Sequence, residues 1–314
     1  MTRVGAIDCG TNSIRLLIAD VDRDAGSLTD VVRRMEIVRL GHAVDRTGLI
    51  APEAMTRTLV QAREYASQCS QLGVERVRFV ATSASRDASN AQEFVDGVRG
   101  AFADFGVVPE VITGHDEASL SFRGATGDLQ SGAVPGPYLV VDIGGGSTEF
   151  VRGTHDVEQA MSVDVGCVRL TERHLRSDPP TPEQIAAATS DIETAIDRVA
   201  AVVDFKGLST LVGLAGSVTT ITAHALRLPT YDAERIHLSQ LPPRDVIDAC
   251  TSLLSMTRSD RAGLGFMHEG RVDVIGAGAL VWRTIVQRLQ RDAAITRVVT
   301  SEHDILDGIA LSIV

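Results

Sequence analysis

Apolar and polar positions along this chain follow two periods that alternate. Val4-Gly5-Ala6-Ile7 and Ile14-Arg15-Leu16-Leu17-Ile18-Ala19 are short apolar runs, the pattern of strands with little exposure. Strands are predicted to about Leu40. Pro52-Glu53 then opens a helix, with Met55, Leu59, Ala62 and Ala66 at helical spacing. Arg76 to Thr82 alternates like a strand and leads into a loop, Ser83-Ala84-Ser85-Arg86-Asp87. A helix from about Ala91 to Phe105 follows, capped by Ser89 or Asn90. Val107 to Ile112 reads as a strand, and Gly114-His115-Asp116-Glu117-Ala118 turns into another helix.

The second half repeats this plan. Tyr138-Leu139-Val140-Val141 and Thr148-Glu149-Phe150-Val151 are apolar runs, and Pro179-Pro180-Thr181-Pro182 introduces a long helix to about Val203. Leu208 to Leu214 is a strand ending in Ala215-Gly216-Ser217, which opens a helix at Val218-Thr219-Thr220. Alternating strands and helices predict an α/β fold. Gly127 to Pro137, rich in Gly, Pro and Ser, is the best linker and divides the chain into lobes at 1–127 and 128–314.

Between the paired runs the chain says nearly the same thing twice. Asp8-Cys9-Gly10-Thr11-Asn12-Ser13 and Asp142-Ile143-Gly144-Gly145-Gly146-Ser147 match at Asp8/Asp142, Gly10/Gly144 and Ser13/Ser147, always 134 positions apart (142 − 8). A hairpin using glycine only for positive φ is the plain alternative. Three successive glycines carry an entropy cost that a hairpin does not require, so a phosphate loop is the better reading. Neither a Walker loop nor a dinucleotide fingerprint fits, because no Lys follows and the glycine spacing differs. The candidate phosphate ligands are Asn12, Ser13, Gly144, Gly145, Gly146, Ser147 and Thr148, with Gly216 and Ser217 at a helix start as a further anion site. Asp8 and Asp142, in register, are expected to bracket Mg²⁺. Glu117 and Arg86 carry no such signal: an acid in a first helical turn and an arginine in a polar loop are ordinary.

Composition narrows the functional classes. The 314 residues suffice for two cores, and 44% hydrophobic residues fit a globular chain. No run is long and apolar enough to span a bilayer, the amino terminus lacks a signal-peptide pattern, and the four cysteines are scattered, so a cytoplasmic setting is expected. With 30 Lys and Arg against 41 Asp and Glu, the net charge of −11 disfavours nucleic acid. A polyanionic small substrate then needs a cation or backbone dipoles at its site. None of the eight histidines falls in a zinc spacing, and no Gly-x-Ser-x-Gly elbow suggests a serine hydrolase.

These motifs, with Ala81-Thr82-Ser83-Ala84-Ser85-Arg86, Gly213-Leu214-Ala215-Gly216-Ser217 and Arg271-Val272-Asp273-Val274-Ile275, resemble the exopolyphosphatase / guanosine pentaphosphate phosphohydrolase family. That family belongs to the actin, sugar-kinase and heat-shock-chaperone superfamily. The resemblance covers nearly the whole chain. It implies two ribonuclease-H-like lobes, mixed sheets flanked by helices, with the site in a cleft between them and the last helix packing back on the first lobe. It implies Glu117 as the catalytic base, Arg86 as a phosphate ligand, and Glu149 as an acid lining the site. The implied reaction is Mg²⁺-assisted release of orthophosphate from inorganic polyphosphate or guanosine pentaphosphate, a chemistry of the stringent response. A kinase-type ATP user and a non-catalytic sensor of polyphosphate or alarmone are the alternatives. A homodimer is compatible with this reading. Two departures stand out. Ile305-Leu306-Asp307-Gly308 replaces the Leu-Arg-Glu-Gly of many relatives, so Leu306 stands in place of an arginine, and His303-Asp304 does not make a histidine-aspartate domain.

Overall fold

The computed structural model of the chain describes residues 1–23, 25–131 and 134–314. They form two compact units, Met1–Gly124 with Ile305–Val314, and Ala125–Asp304.

The first unit is built on β1 (Thr2–Cys9), β2 (Ser13–Asp22) and β3 (Ser27–Ile37), followed by α1 (Val44–Thr47) and α2 (Pro52–Gln71). Then come β4 (Arg76–Ala81), α3 (Ser83–Asp87), α4 (Ala91–Ala101), β5 (Glu110–Val111) and α5 (Gly114–Ser131), whose last turns belong to the second unit. The sheet order is β3-β2-β1-β4-β5. β1 is antiparallel to β2 but parallel to β4. The central strand is buried from Val4 to Cys9, as its unbroken apolar run requires.

The second unit contains β6 (Tyr138–Ile143), β7 (Thr148–Gly153), β8 (Val157–Val163), α6 (Cys167–Arg173), α7 (Pro182–Ala200), β9 (Thr210–Leu214) and α8 (Ala215–Ala225). It continues through α9 (Ala233–Ile236), β10 (Gln240–Leu241), α10 (Pro243–Ser255), α11 (Arg258–Ala262), α12 (Ile275–Ala293) and β11 (Val298–Thr300). Its sheet order is β10-β11-β9-β6-β7-β8. Reading β8-β7-β6-β9-β11 against β3-β2-β1-β4-β5 gives the same plan, so the duplication seen in the turns extends to five strands of each sheet, with β10 an addition at one edge. α3 after β4 then corresponds to α8 after β9. The last element, α13 (Ile305–Leu311), belongs to the first unit.

Local chemistry accounts for several boundaries that differ from the sequence pattern. Residues 83–87 are helical rather than looped, with Ser85 and Arg86 amides both donating to the Thr82 carbonyl. Asn90 precedes α4 but does not cap it: its side chain accepts from the Ile50 amide and donates to the Ile50 carbonyl. The expected strand at 107–112 shrinks to Glu110–Val111. α5 extends through the first part of the expected linker, while residues 132 and 133 lie outside the described residues. α7 carries the full N-terminal signature, with Pro182 in the first turn and a capping box between Thr181 and Gln184.

Candidate active site

The two glycine turns are closed identically. The Gly10 amide donates to the Ser13 carbonyl at 2.9 Å and the Gly144 amide to the Ser147 carbonyl at 3.0 Å. Both turns join hairpin strands, but neither glycine has positive φ, so positive φ is not what calls for glycine there. The carbonyls decide what the second turn can do. Gly144 accepts from the Cys167 amide, Gly145 from the amides of Val168 and Arg169, and Gly146 from Arg169 Nε at 2.7 Å. In a trans peptide the next N–H points opposite to the carbonyl. The amides of Gly145, Gly146 and Ser147 therefore project away from α6, the disposition that an anion-binding turn needs. The first turn repeats the arrangement. Thr11 accepts from Gly41, and Asn12 accepts from Val38 and Arg39, which turns the Asn12 and Ser13 amides outward.

Close approach of α6 depends on Gly166, where a Cβ would sit 2.4 Å from the Gly145 carbonyl oxygen. Thr148 contributes differently from its neighbours. Its hydroxyl donates to the Val165 carbonyl at 2.6 Å, so the proton is committed to anchoring β7.

The repeat is also exact at the position opposite each aspartate. Asp8 faces Arg15 across β1 and β2, and Asp142 faces Glu149 across β6 and β7; 15 and 149 are again 134 apart (149 − 15). In the first copy the pair is neutralised: Arg15 donates from Nε and Nη2 to Asp8 Oδ2, at 2.9 and 2.6 Å. In the second copy two carboxylates stand directly opposite one another, 7% and 1% exposed. Like charges in that position destabilise a sheet, and burial aggravates it. Ser162 donates to Glu149 Oε1 at 2.7 Å. A hard divalent cation matches this all-oxygen donor set. Asp142 with Glu149 fits Mg²⁺ better than Asp8, whose Oδ2 is held by arginine.

Glu117 lies in the first turn of α5 and is 8% exposed. Arg86 on α3 donates from Nη1 to Glu117 Oε2 at 2.7 Å and to the Ile112 carbonyl at 3.0 Å. The guanidinium thus orients the carboxylate. Beside Arg86, the Ser85 hydroxyl is buried without a hydrogen-bond partner among the described residues. Such a group usually marks a place for water or ligand.

At the start of α8, Gly216 packs under Arg271, whose Nη1 donates to the Gly216 carbonyl at 2.6 Å and to Thr220 Oγ1 at 3.2 Å. A Cβ on Gly216 would fall 1.9 Å from that guanidinium, so only glycine admits it. Ser217 is hydrogen-bonded to Cys167, whose thiol is pushed up by burial. The sequence brought Arg271 forward only within a motif, and Arg15, Ser162, Gly166 and Arg169 not at all as site residues. The 134-residue offset could have exposed the Arg15/Glu149 exchange; the others have no local signal.

The structure therefore holds a duplicated α/β sheet whose strand ends carry matching glycine turns, with an arginine-held glutamate and a buried acidic pair. A model of the Ppx/GppA phosphatase family matches residues 17–313. The chain belongs to that family.

Among its relatives, the chain is 50% identical to exopolyphosphatase 2 of Mycobacterium tuberculosis, over 100% of this chain and 99% of that protein. A crystal structure of an exopolyphosphatase-like protein is 43% identical, with a TM-score of 0.93, over 99% of this chain and 98% of that one. A Ppx/GppA family member from Aquifex aeolicus is 30% identical, with a TM-score of 0.79, over 99% and 97%.

Proposed function

We propose that this chain is an exopolyphosphatase, a phosphoanhydride hydrolase that releases terminal orthophosphate from inorganic polyphosphate. Guanosine pentaphosphate is proposed as a second substrate, because it ends in the same phosphoanhydride that these residues address. The observation that carries the reading is the set of three carbonyls, Gly144 to Gly146, turned onto α6 and Arg169, which aims three successive amides at one place. Each amide bonded to a phosphoryl oxygen contributes about 1.5–3 kcal/mol.

The terminal phosphoryl group rests on the amides of Gly145, Gly146 and Ser147, with the first-turn amides of α8 and Arg271 available to further oxygens. Glu117, oriented by Arg86, takes a proton from the attacking water. Mg²⁺, where bound by Asp142 and Glu149, would neutralise charge on the phosphate oxygens. Asp8, paired with Arg15, contributes a neutralised carboxylate beside the first turn. This arrangement supports handling of a polyanion by a chain of net charge −11, since the positive potential is local. Four free, buried cysteines suit a reducing cytoplasm, which the proposal includes.

A phosphate-release assay with short and long polyphosphate, guanosine pentaphosphate and ATP, each with and without Mg²⁺, tests the reading. Glu117→Gln is expected to lower kcat by about 10²–10⁴-fold with substrate binding retained. Unchanged turnover would remove Glu117 from its role, and binding without turnover by the wild type would favour the sensor reading.

A further inference from the structure

A cluster of metal-ligating residue types lies in the second unit, outside the residues assigned above to phosphate. Asp128 is in the last turns of α5, His237 follows α9, and His303 lies just after β11. One ligand atom from each of the three lies within 4.8 Å of the other two. Asp128 Oδ2 is 2.6 Å from His303 Nδ1 and 3.4 Å from His237 Nε2, and the two rings are 4.6 Å apart between centroids. All three side chains are half-buried, which leaves an entry path for an ion.

We propose that Asp128, His237 and His303 form a structural site for a borderline divalent transition cation of the Zn²⁺ type, with solvent completing the coordination. Two imidazoles and one carboxylate suit that class and not Mg²⁺, which prefers oxygen throughout. Tetrahedral bonds of about 2.0–2.1 Å place ligand atoms about 3.4 Å apart. The Asp128–His237 separation already has that value. The Asp128–His303 contact has to open by about 0.8 Å (3.4 − 2.6).

The hydrogen bonds set the terms of entry. The Glu302 amide donates to His237 Nδ1 at 3.2 Å, so the ring proton of neutral His237 sits on Nε2 and faces Asp128. Ligation through Nε2 moves that proton to Nδ1, at the cost of the Glu302 contact. Ligation by His303 through Nδ1 moves its proton to Nε2. The bound ion would tie together α5, the turn at His237 and the segment leaving β11. Sequence spacing gave no hint of this site, because its residues are more than sixty positions apart (303 − 237).

The test is calorimetric titration of chelator-treated protein with Zn²⁺, repeated on H237Q/H303Q and on D142N/E149Q. The expected result is one Zn²⁺ site, persisting in D142N/E149Q and weakened by more than about 100-fold in H237Q/H303Q. No Zn²⁺ binding tighter than about 10 μM by the wild type, or undiminished binding by H237Q/H303Q, overturns the proposal. Ring ¹⁵N spectra of the wild type decide the matter even where the double variant fails to fold. Zn²⁺ must move the His237 and His303 signals into the pattern of metal-bound imidazole, and unmoved signals refute the site.

Discussion

Asp142 and Glu149 are both acids, stand opposite each other on neighbouring strands, and are both nearly out of water. Removing one charge should therefore stabilise the metal-free protein, by about 0.2–1 kcal/mol on the scale of cross-strand pairs. We expect Glu149→Gln to raise Tm in chelator while raising the Mg²⁺ concentration needed for half-maximal hydrolysis. The amide oxygen of glutamine can still accept the Ser162 hydroxyl, so packing is kept. A lower Tm in chelator would show that the two carboxylates do not repel. The equivalent position in the first copy should respond oppositely. Arg15→Met leaves Asp8 buried without its cation, at a cost of about 3 kcal/mol, readable by urea unfolding. The offset that aligns Asp8 with Asp142 was legible from sequence; that position 15 faces Asp8 and position 149 faces Asp142 needed the strand register.

At the scale of elements, α5 and α6 hold the reactive groups in place. Thr113, just before α5, accepts from the Asp116 amide at 3.1 Å and donates to Asp116 Oδ2 at 2.7 Å. The Thr113 hydroxyl accordingly holds the Asp116 carboxyl below the usual carboxylate range. A folded pKa that is depressed contributes stability fully above the ordinary Asp value, about 3.9, and loses it as pH falls through the lowered one. Thr113→Ala is expected to cost about 1 kcal/mol at neutral pH and to lower kcat by loosening the turn that carries Glu117. The stability gap from wild type should narrow below about pH 4, where acid melts the same cap. An undiminished gap in acid would mean that Asp116 is not its source. α6 offers a sharper steric test. Gly166→Ala places a Cβ 2.4 Å from the Gly145 carbonyl oxygen, against backbone that cannot yield like a side chain. It should raise KM for polyphosphate and destabilise by about 1–3 kcal/mol, with phosphate release and thermal unfolding as readouts. The long helices α2, α4 and α7 were legible in sequence, whereas α10 and α12 were not read from it. α3 was not, because five residues leave no helical period to detect.

At the scale of the molecule, the end of the chain completes the first unit. Ile305, Leu306, Ile309 and Ala310 of α13 are buried in one cluster with Val4, Ala6, Leu17 and Val80. Asp307, 1% exposed, accepts from Arg33 Nη2 at 2.5 Å, and a Cβ at Gly308 would fall 2.0 Å from the Leu120 carbonyl oxygen. Leu306 therefore fills apolar space, in place of the arginine that the family resemblance led one to expect. Leu306→Arg buries a charge in that cluster and is expected to cost about 3 kcal/mol or more, a large share of a stability of about 5–15 kcal/mol. Urea unfolding should register that loss, and a wild-type midpoint would mean the arginine finds a partner that leucine lacks.

The amino-acid sequence by itself determined the α/β class, the twofold repeat and its glycine turns, because apolar periodicity and glycine runs are local signals. It also marked Asp8 and Asp142 as a matched pair. Only the tertiary structure decided which carboxylate meets an arginine and which meets another carboxylate, since strand pairing brings together residues that share no local pattern. Tertiary packing alone turned the Gly144–Gly146 carbonyls onto α6, put Arg271 over Gly216 and gathered Asp128, His237 and His303. Each of these joins segments distant in the chain, and the chain's own periodicity does not encode where distant segments meet.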